Sequence, residues 1–240
     1  MLIDPPVLAY IQNVIKTADL VKIDNIIIEP GRVRAMDIDR TVVMLHNKNV
    51  PDMPFGSIGI NRISVFNARV DIAKAATNFT IDAVVENIPD KAPFVRSLQM
   101  KGKGIKVDYR CANPATIQAP RAVDDPSVCR IQIVPEAIQM IQKGQSAMST
   151  DVVSFICTAD GVMLEMSDIN NDKLSYHFAD SVENLSEPSS GAMPAFSHRY
   201  PIKTLMALFK ANSDGFFQVT TKGMVKIVVN NLDLYVLARE

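Results

Sequence analysis

Residues 26–37 read Ile26-Ile27-Ile28-Glu29-Pro30-Gly31-Arg32-Val33-Arg34-Ala35-Met36-Asp37. The β-branched run predicts a strand, Pro30-Gly31 a turn, and Val33 to Met36 a strand returning beside the first. Thr41 to His46 predicts a third strand. Upstream, Val7, Leu8, Ile11, Val14, Ile15 and Ala18 keep the i, i+3/i+4 spacing of an amphipathic helix. Pro5-Pro6 stand just ahead of it, where a missing N–H costs little. The same order restarts at Pro135. Ala137, Ile138 and Ile141 mark a short helix, Val153 to Cys157 a strand, Asp160-Gly161 a turn and Val162 to Met166 its return. The offset is constant, because Ile11 and Ile141, Gly31 and Gly161, and Met36 and Met166 each lie 130 positions apart.

Each copy adds a second helix. Residues 61–75 place Ile63, Phe66, Val70 and Ala73 on one face, and residues 201–212 do so with Leu205, Met206, Leu208 and Phe209. Strands are expected at 79–86 and 105–111 in the first copy, and at 216–220, 224–229 and 234–238 in the second. Asp160-Gly161 and Asp214-Gly215 are hairpin-type turn signals. Between the copies, residues 113–127 hold Pro114, Pro120 and Pro126, which neither a helix nor a central strand tolerates, so an extended linker is expected. Residues 185–197, with Pro188, Gly191 and Pro194, read as a loop. The expected class is α+β: a duplicated domain, 1–112 and 128–240 around the linker, each copy laying two helices on antiparallel sheets.

The 240 residues carry 25 Lys+Arg against 26 Asp+Glu, for a net charge of −1, and 48% are apolar. That supports a sizeable core and excludes a disordered or fibrous chain. Near-neutrality argues against a surface coated in basic groups, as in a histone-like DNA binder. No apolar run approaches the ~18 residues that span a bilayer. No basic stretch followed by an apolar one opens the chain, so no secretory signal is expected. Cys111, Cys129 and Cys157 show no pairing pattern, and reduced thiols in a cytosol are the expectation. Where the charge sits is more informative than its sum. Segments 7–18, 62–75, 135–147 and 199–213 together carry +6, and the remainder −7. Lys203 and Lys210, two helical turns apart, point the same way. Two readings of this partition remain: lysines and arginines that only solvate the outer helix faces, or one cationic surface for a phosphate backbone, binding without reading bases.

Catalytic patterns are poor. Gly102-Lys103-Gly104 lacks the rest of a phosphate-cradling loop. No C-x-x-C or H-E-x-x-H occurs, and His46, His177 and His198 are scattered, so no metal is expected. Asp168-Ile169-Asn170-Asn171-Asp172 opens like a calcium loop, but Lys173 replaces the turn glycine and Ala179 the closing glutamate. Asp37 and Asp39 read as a solvated turn, not a carboxylate dyad. Ser197-His198 are neighbours without a G-x-S-x-G around them. No enzyme and no cofactor is expected.

The stretch 26–37 closely resembles the G-(x)-R-x-R-A-M-D strand-turn-strand of the proliferating cell nuclear antigen family of DNA sliding clamps. Residues 234–239, Leu-Tyr-Val-Leu-Ala-Arg, resemble the family's final strand and tail, with Arg239 where a proline commonly follows the alanine. Residues 104–110 and the linker after them resemble the phage versions. The resemblance covers nearly the whole chain in element order; the first motif is the one specific in sequence, and the second copy, with Glu165-Met166-Ser167, has diverged.

The resemblance implies a ring of three chains, each of two clamp domains, with helices lining a hole around duplex DNA and sheets outside. Lys16, Arg62, Arg69, Lys74, Lys143, Lys203 and Lys210 are the implied DNA-binding residues. Subunits are implied to join edge to edge through Ile105, Val107, Tyr109 and Cys111 of one chain and Leu174, Tyr176 and Phe178 of the next. DNA polymerase and a clamp-loader ATPase are implied to dock by a short peptide over Met36, Val43, Ile117, Met224, Val236, Leu237 and Ala238. The implied location is cytoplasmic, in the host cytoplasm if the source is viral, with no membrane partner. The alternative is a monomeric duplicated α+β module that binds a protein and never encircles DNA. A small hydrolase using Ser197 and His198 is a more distant third.

Overall fold

Ile26–Glu29 (β1) and Arg32–Met36 (β2) form the expected hairpin, with Ile26 opposite Ala35 and Glu29 opposite Arg32. Gly31 closes it at φ +75°, a left-handed conformation that glycine adopts without strain. Ile26, Ile27 and Ile28 are all buried, as on an inner strand covered on both faces. The computed structural model describes residues 1–46, 48, 50–90, 92–158, 161–178, 181–185 and 193–239. Asp160 of the second expected turn, Ala179, and residues 186–192 of the expected loop lie outside these.

The chain divides into two units, Met1–Ala122 and Val123–Glu240, with the division inside residues 113–127. The first unit adds Val42–His46 (β3), Ser57–Ile60 (β4), Thr80–Glu86 (β5), Phe94–Gly102 (β6) and Ile105–Arg110 (β7). Its strands run β3-β2-β1-β4-β6-β5, and β7 pairs with β6. Pairing is antiparallel except where β4 meets the start of β6, at Ser57–Phe94 and Ile58–Val95. Helix α1 (Pro5–Leu20) packs on β1, and α2 (Ile63–Lys74) packs on β6 and β7.

The arginines of the 26–37 motif tie this hairpin to the proline-rich segment at the end of the unit. Glu29 accepts from Arg32 Nε at 2.8 Å and Arg34 Nη2 at 2.9 Å, while Arg34 Nη1 donates to the Ala119 carbonyl at 3.0 Å. Arg34 thus fastens that segment to β2. Asp37 is a turn-maker: Oδ1 accepts from the N–H groups of Thr41 and Val42, each at 2.7 Å. Burial opposes ionisation of Glu29, but Arg34 and Arg32 outweigh it and hold its pKa below the ordinary carboxylate value. A lowered native pKa stabilises the fold above the unfolded value of about 4.3, and this stability is lost as pH falls through the depressed native one. Glu29→Gln is expected to cost about 1–2 kcal/mol at neutral pH, and correspondingly less in acid, read from urea midpoints across pH.

The second unit comprises Ser127–Gln132 (β8), Pro135–Ala147 (α3), Val152–Thr158 (β9), Gly161–Ser167 (β10), Lys173–His177 (β11), Val182–Asn184 (β12), Phe196–Pro201 (β13), Ile202–Ala211 (α4), Phe216–Thr220 (β14), Met224–Val229 (β15) and Leu232–Leu237 (β16). Its strands form two runs, β12-β8-β14-β15-β16 and β11-β10-β9-β13. Helix α3 packs on α4 and β11, and α4 packs on β13 and β15. Gly144 lets α3 settle onto the sheet, since a Cβ there would stand 2.1 Å from Met166 Cε and 2.6 Å from Leu174 Cδ2. The core holds an aromatic cluster in which Phe217 lies 5.1 Å from both Phe155 and Phe209, and 5.9 Å from Phe178, between ring centroids.

The duplication is plain in the elements: helix, hairpin, strand, then a strand leading into a second helix, and strands after it. Even β8 has its counterpart, because Leu2 bridges Asp82 on β5 as β8 pairs with β14. Several expectations need correction. Residues 61 and 62 precede α2, with Arg62 in a left-handed conformation at φ 54°. Phe196 and Ser197, expected in a loop, begin β13, and Arg199, counted on a helix, is also in that strand. Asp214-Gly215 joins α4 to β14 and is no hairpin turn. Strands β4, β6, β8 and β12 were not among those expected. The three cysteines are buried and free, and burial pushes the Cys111 and Cys129 thiols up to about 12, which leaves them unreactive at neutral pH. Among the described residues no helix is long and apolar enough to cross a membrane, and no cluster of three metal-ligating side chains occurs.

Candidate functional site

At about 100° per residue, Lys16 lies opposite the buried Ile11, Val14 and Ala18 of α1 and is fully outward. Lys143 is exposed on α3, and Lys203 and Lys210 share one exposed edge of α4. Helix α2 differs. Its outermost positions are Ser64, Ala68 and Ile72, with Asp71 beside them, while Lys74 sits at its end. Arg69 is turned toward the sheet: Nη1 donates to the Asp108 carbonyl at 3.0 Å, and the guanidinium stands 5.7 Å from the Tyr109 ring. Arg62 is exposed but off the helix. With the observed bounds, the helices carry 0, +1, 0 and +2, so +3 stands against −4 elsewhere. The cationic surplus is half what the sequence segments implied, because Arg62 and Arg199 leave the count and Asp19 enters it.

β7 and β11 each lie at a sheet edge with an open side. In an antiparallel ladder alternate residues bond to the neighbour, and those between turn their N–H and C=O outward. Cys111 N–H bonds to the Arg96 carbonyl, so residues 105, 107 and 109 face β6 while Lys106, Asp108 and Arg110 face out. The Asp108 carbonyl, taken by Arg69, has this outward sense. On β11, Phe178 N–H bonds to the Val162 carbonyl, so Leu174 and Tyr176 face β10, and Lys173, Ser175 and His177 face out. Side-chain exposure agrees, since 106, 108, 110, 173, 175 and 177 are exposed. Ile105, Val107, Leu174 and Tyr176 are half-buried. Tyr109 is wholly buried, edge-on to Phe66 at 5.1 Å and hydrogen-bonded to Asn61. Phe178 is buried likewise.

Of the residues assigned to a partner peptide, Met36 ends β2 half-buried, Ile117 follows a short turn at Pro114–Thr116, and Val43 and Val236 are buried in their sheets. Met224, Leu237 and Ala238 come together. They line a cavity of about 660 Å³ with Ser197, His198 and Arg199 of β13, Lys222 of the β14–β15 turn, and Arg239. The tail is held there by Arg239 N–H bonding to the Arg199 carbonyl at 2.7 Å. The His198 ring stacks on Phe196 at 5.5 Å and lies over Gly223, whose φ is +78° and whose added Cβ would stand 2.6 Å from Nδ1. Burial lowers the pKa of His198 below its ordinary value, favouring the neutral ring. Ser197 and His198 are successive strand residues and leave opposite faces, which is no geometry for a nucleophile and its base. Sequence reasoning missed Arg199, Lys222 and the cavity role of His198; only their nearness to the tail, which no spacing encodes, identifies them.

Solved structures share this architecture. A proliferating cell nuclear antigen from A. fulgidus, in a structure with the C-terminal region of FEN-1 bound, aligns over 96% of this chain and 95% of that one, with TM-score 0.61 and 15% identity. This is the sliding-clamp fold. The proliferating cellular nuclear antigen of Entamoeba histolytica aligns over 97% and 96%, with TM-score 0.59 and 14% identity. The DNA polymerase sliding clamp of Bacillus subtilis aligns over 97% of this chain and 62% of that one, with TM-score 0.61 and 13% identity. No protein-family model and no curated protein matches the sequence. The clamp fold was thus legible in residues 26–37 although overall identity to these structures is low.

Proposed function

We propose that the chain is a DNA polymerase processivity factor. Three copies pair β7 of one with β11 of the next, closing a ring around duplex DNA that a clamp-loader ATPase opens. The observation that carries this is a clamp fold in which β7 of the first unit and β11 of the second each keep an open strand edge. An exposed edge invites pairing, and closure into a ring removes it. The helix cations then meet phosphates without reading bases, and topological enclosure lets each contact stay weak. Lys16, Lys143, Lys203 and Lys210 carry this role; Arg69 serves the β7 edge. The half-buried Met224, Leu237 and Ala238 receive the polymerase and other replication proteins; the A. fulgidus protein has the C-terminal region of FEN-1 bound. The role is that of a scaffold, not of an enzyme.

The test is retention on nicked circular DNA, loaded by a matching loader and lost when the circle is linearised, with a sedimentation mass near three times 26.4 kDa. A chain that sediments singly and releases circular and linear DNA alike is the monomeric module instead. Replacing Lys203 and Lys210 by Glu is expected to reduce the slope of log affinity against log salt by roughly two, measured on short duplexes.

A further inference from the structure

The cavity beside the chain's tail has an apolar floor and cationic walls. Met224, Leu237 and Ala238 form the floor, and the unbranched thioether of Met224 suits a variable guest. Arg199, Lys222 and Arg239 form the walls, and among the described residues no carboxylate lines the cavity. Two described carboxylates stand nearby. Asp125 accepts from the main-chain N–H of Lys222 at 3.2 Å and from the Thr221 hydroxyl, not from the Lys222 ammonium. Asp151 pairs with Arg239 at 3.2 Å, but its side chain is 79% exposed and the pair is weak. Among the described residues neither the Arg199 guanidinium nor the Lys222 ammonium forms an ion pair, and both side chains are exposed. The like charges of Arg199 and Lys222 beside one apolar cavity, with Arg239 only weakly paired, favour an entering anion.

We infer that the segment docking in this cavity is an acidic peptide, with an apolar side chain on the Met224–Leu237 floor and adjacent Asp or Glu carboxylates against Arg199, Lys222 and Arg239. This rests on the docking reading above and adds the charge of the partner. A volume of about 660 Å³ falls in the ~300–1,000 Å³ range of binding pockets. A nucleic-acid backbone would satisfy the walls but leave the floor without an apolar occupant, so the peptide accounts for both. Charges of this kind select among partners and speed encounter more than they add affinity.

The experiment pans a random-peptide display library on the full chain, then measures selected peptides by fluorescence anisotropy at low and high salt. Expected are peptides that join Leu, Ile, Met or Phe to Asp or Glu, that bind R199E/K222E about tenfold more weakly, and that weaken with salt. They should also lose affinity for Leu237→Asp. The charge-reversed positions are exposed, and thermal unfolding verifies that each variant is folded. Uncharged apolar peptides that Leu237→Asp excludes and R199E/K222E accepts would overturn the acidic assignment while leaving the docking reading in place. Peptides indifferent to all these variants would overturn both. An oligonucleotide held here, sensitive to R199E/K222E but not to Leu237→Asp, would replace the peptide with a phosphate backbone.

Discussion

A chain carrying Lys106→Pro is expected to sediment as a single chain and to be released from nicked circular DNA at the rate of linear DNA. The substitution is chosen from the direction of the main chain. The N–H of Lys106 points away from β6, so proline there leaves the β6–β7 ladder intact and removes one donor from the open edge. A proline at Val107, by contrast, would break a bond inside the sheet and test only folding. Ser175→Pro is the matching change on β11, where the same alternation turns the N–H outward. If both variants keep the mass of three chains, β7 and β11 do not join subunits. If both are single and still folded by circular dichroism, the edges are the joint.

Phe217→Ala is expected to cost about 3–5 kcal/mol, a large part of the ~5–15 kcal/mol that typically stabilises a domain. The ring is fully buried and touches Phe155 of β9, Phe178 just after β11 and Phe209 of α4. Two of these neighbours are themselves held by a second ring, which opposes their collapse into the space: Phe155 meets Tyr200 at 5.4 Å, and Phe178 meets Tyr176 at the same distance. The measurement is the urea midpoint followed by far-ultraviolet circular dichroism, with the slope unchanged. A loss below about 1 kcal/mol would mean that the cluster repacks around the gap.

How far the sequence carried this structure depends on how local each signal is. The 26–36 hairpin was legible because burial of three successive isoleucines and a Pro-Gly turn are decided within a dozen residues. Helix α3 was legible to the residue, since Pro135 starts it and its apolar positions keep step. Strand β6 was not, for a physical reason. Its partner residues jump from Ser97 to Val95 across the Val84/Val85 step, so Arg96 bulges and the alternation of apolar residues breaks. β13 was hidden by its polar residues: Ser197 and Arg199 are exposed, and the strand runs straight into α4 at Pro201.

The candidate site shows the same division. Exposure of Lys16, Lys143, Lys203 and Lys210 follows from helical period alone. The position of Arg69 does not, because it is set by a carbonyl 39 residues away on a strand edge. The cavity is less legible still, joining a strand, a turn and the tail, and its cations had no motif to mark them.

The open edges of β7 and β11 are unlike each other. β7 shows Lys106, Asp108 and Arg110, and β11 shows Lys173, Ser175 and His177. In the proposed pairing of β7 with β11, the joint between unlike surfaces has no two-fold axis, so it would run head to tail and give the assembly a direction. Every protomer then points the same way round, and the tail cavity recurs once per chain with the same orientation. A partner that docks there therefore meets an assembly with a front and a back, and several partners can be held at once without any of them facing the opposite way.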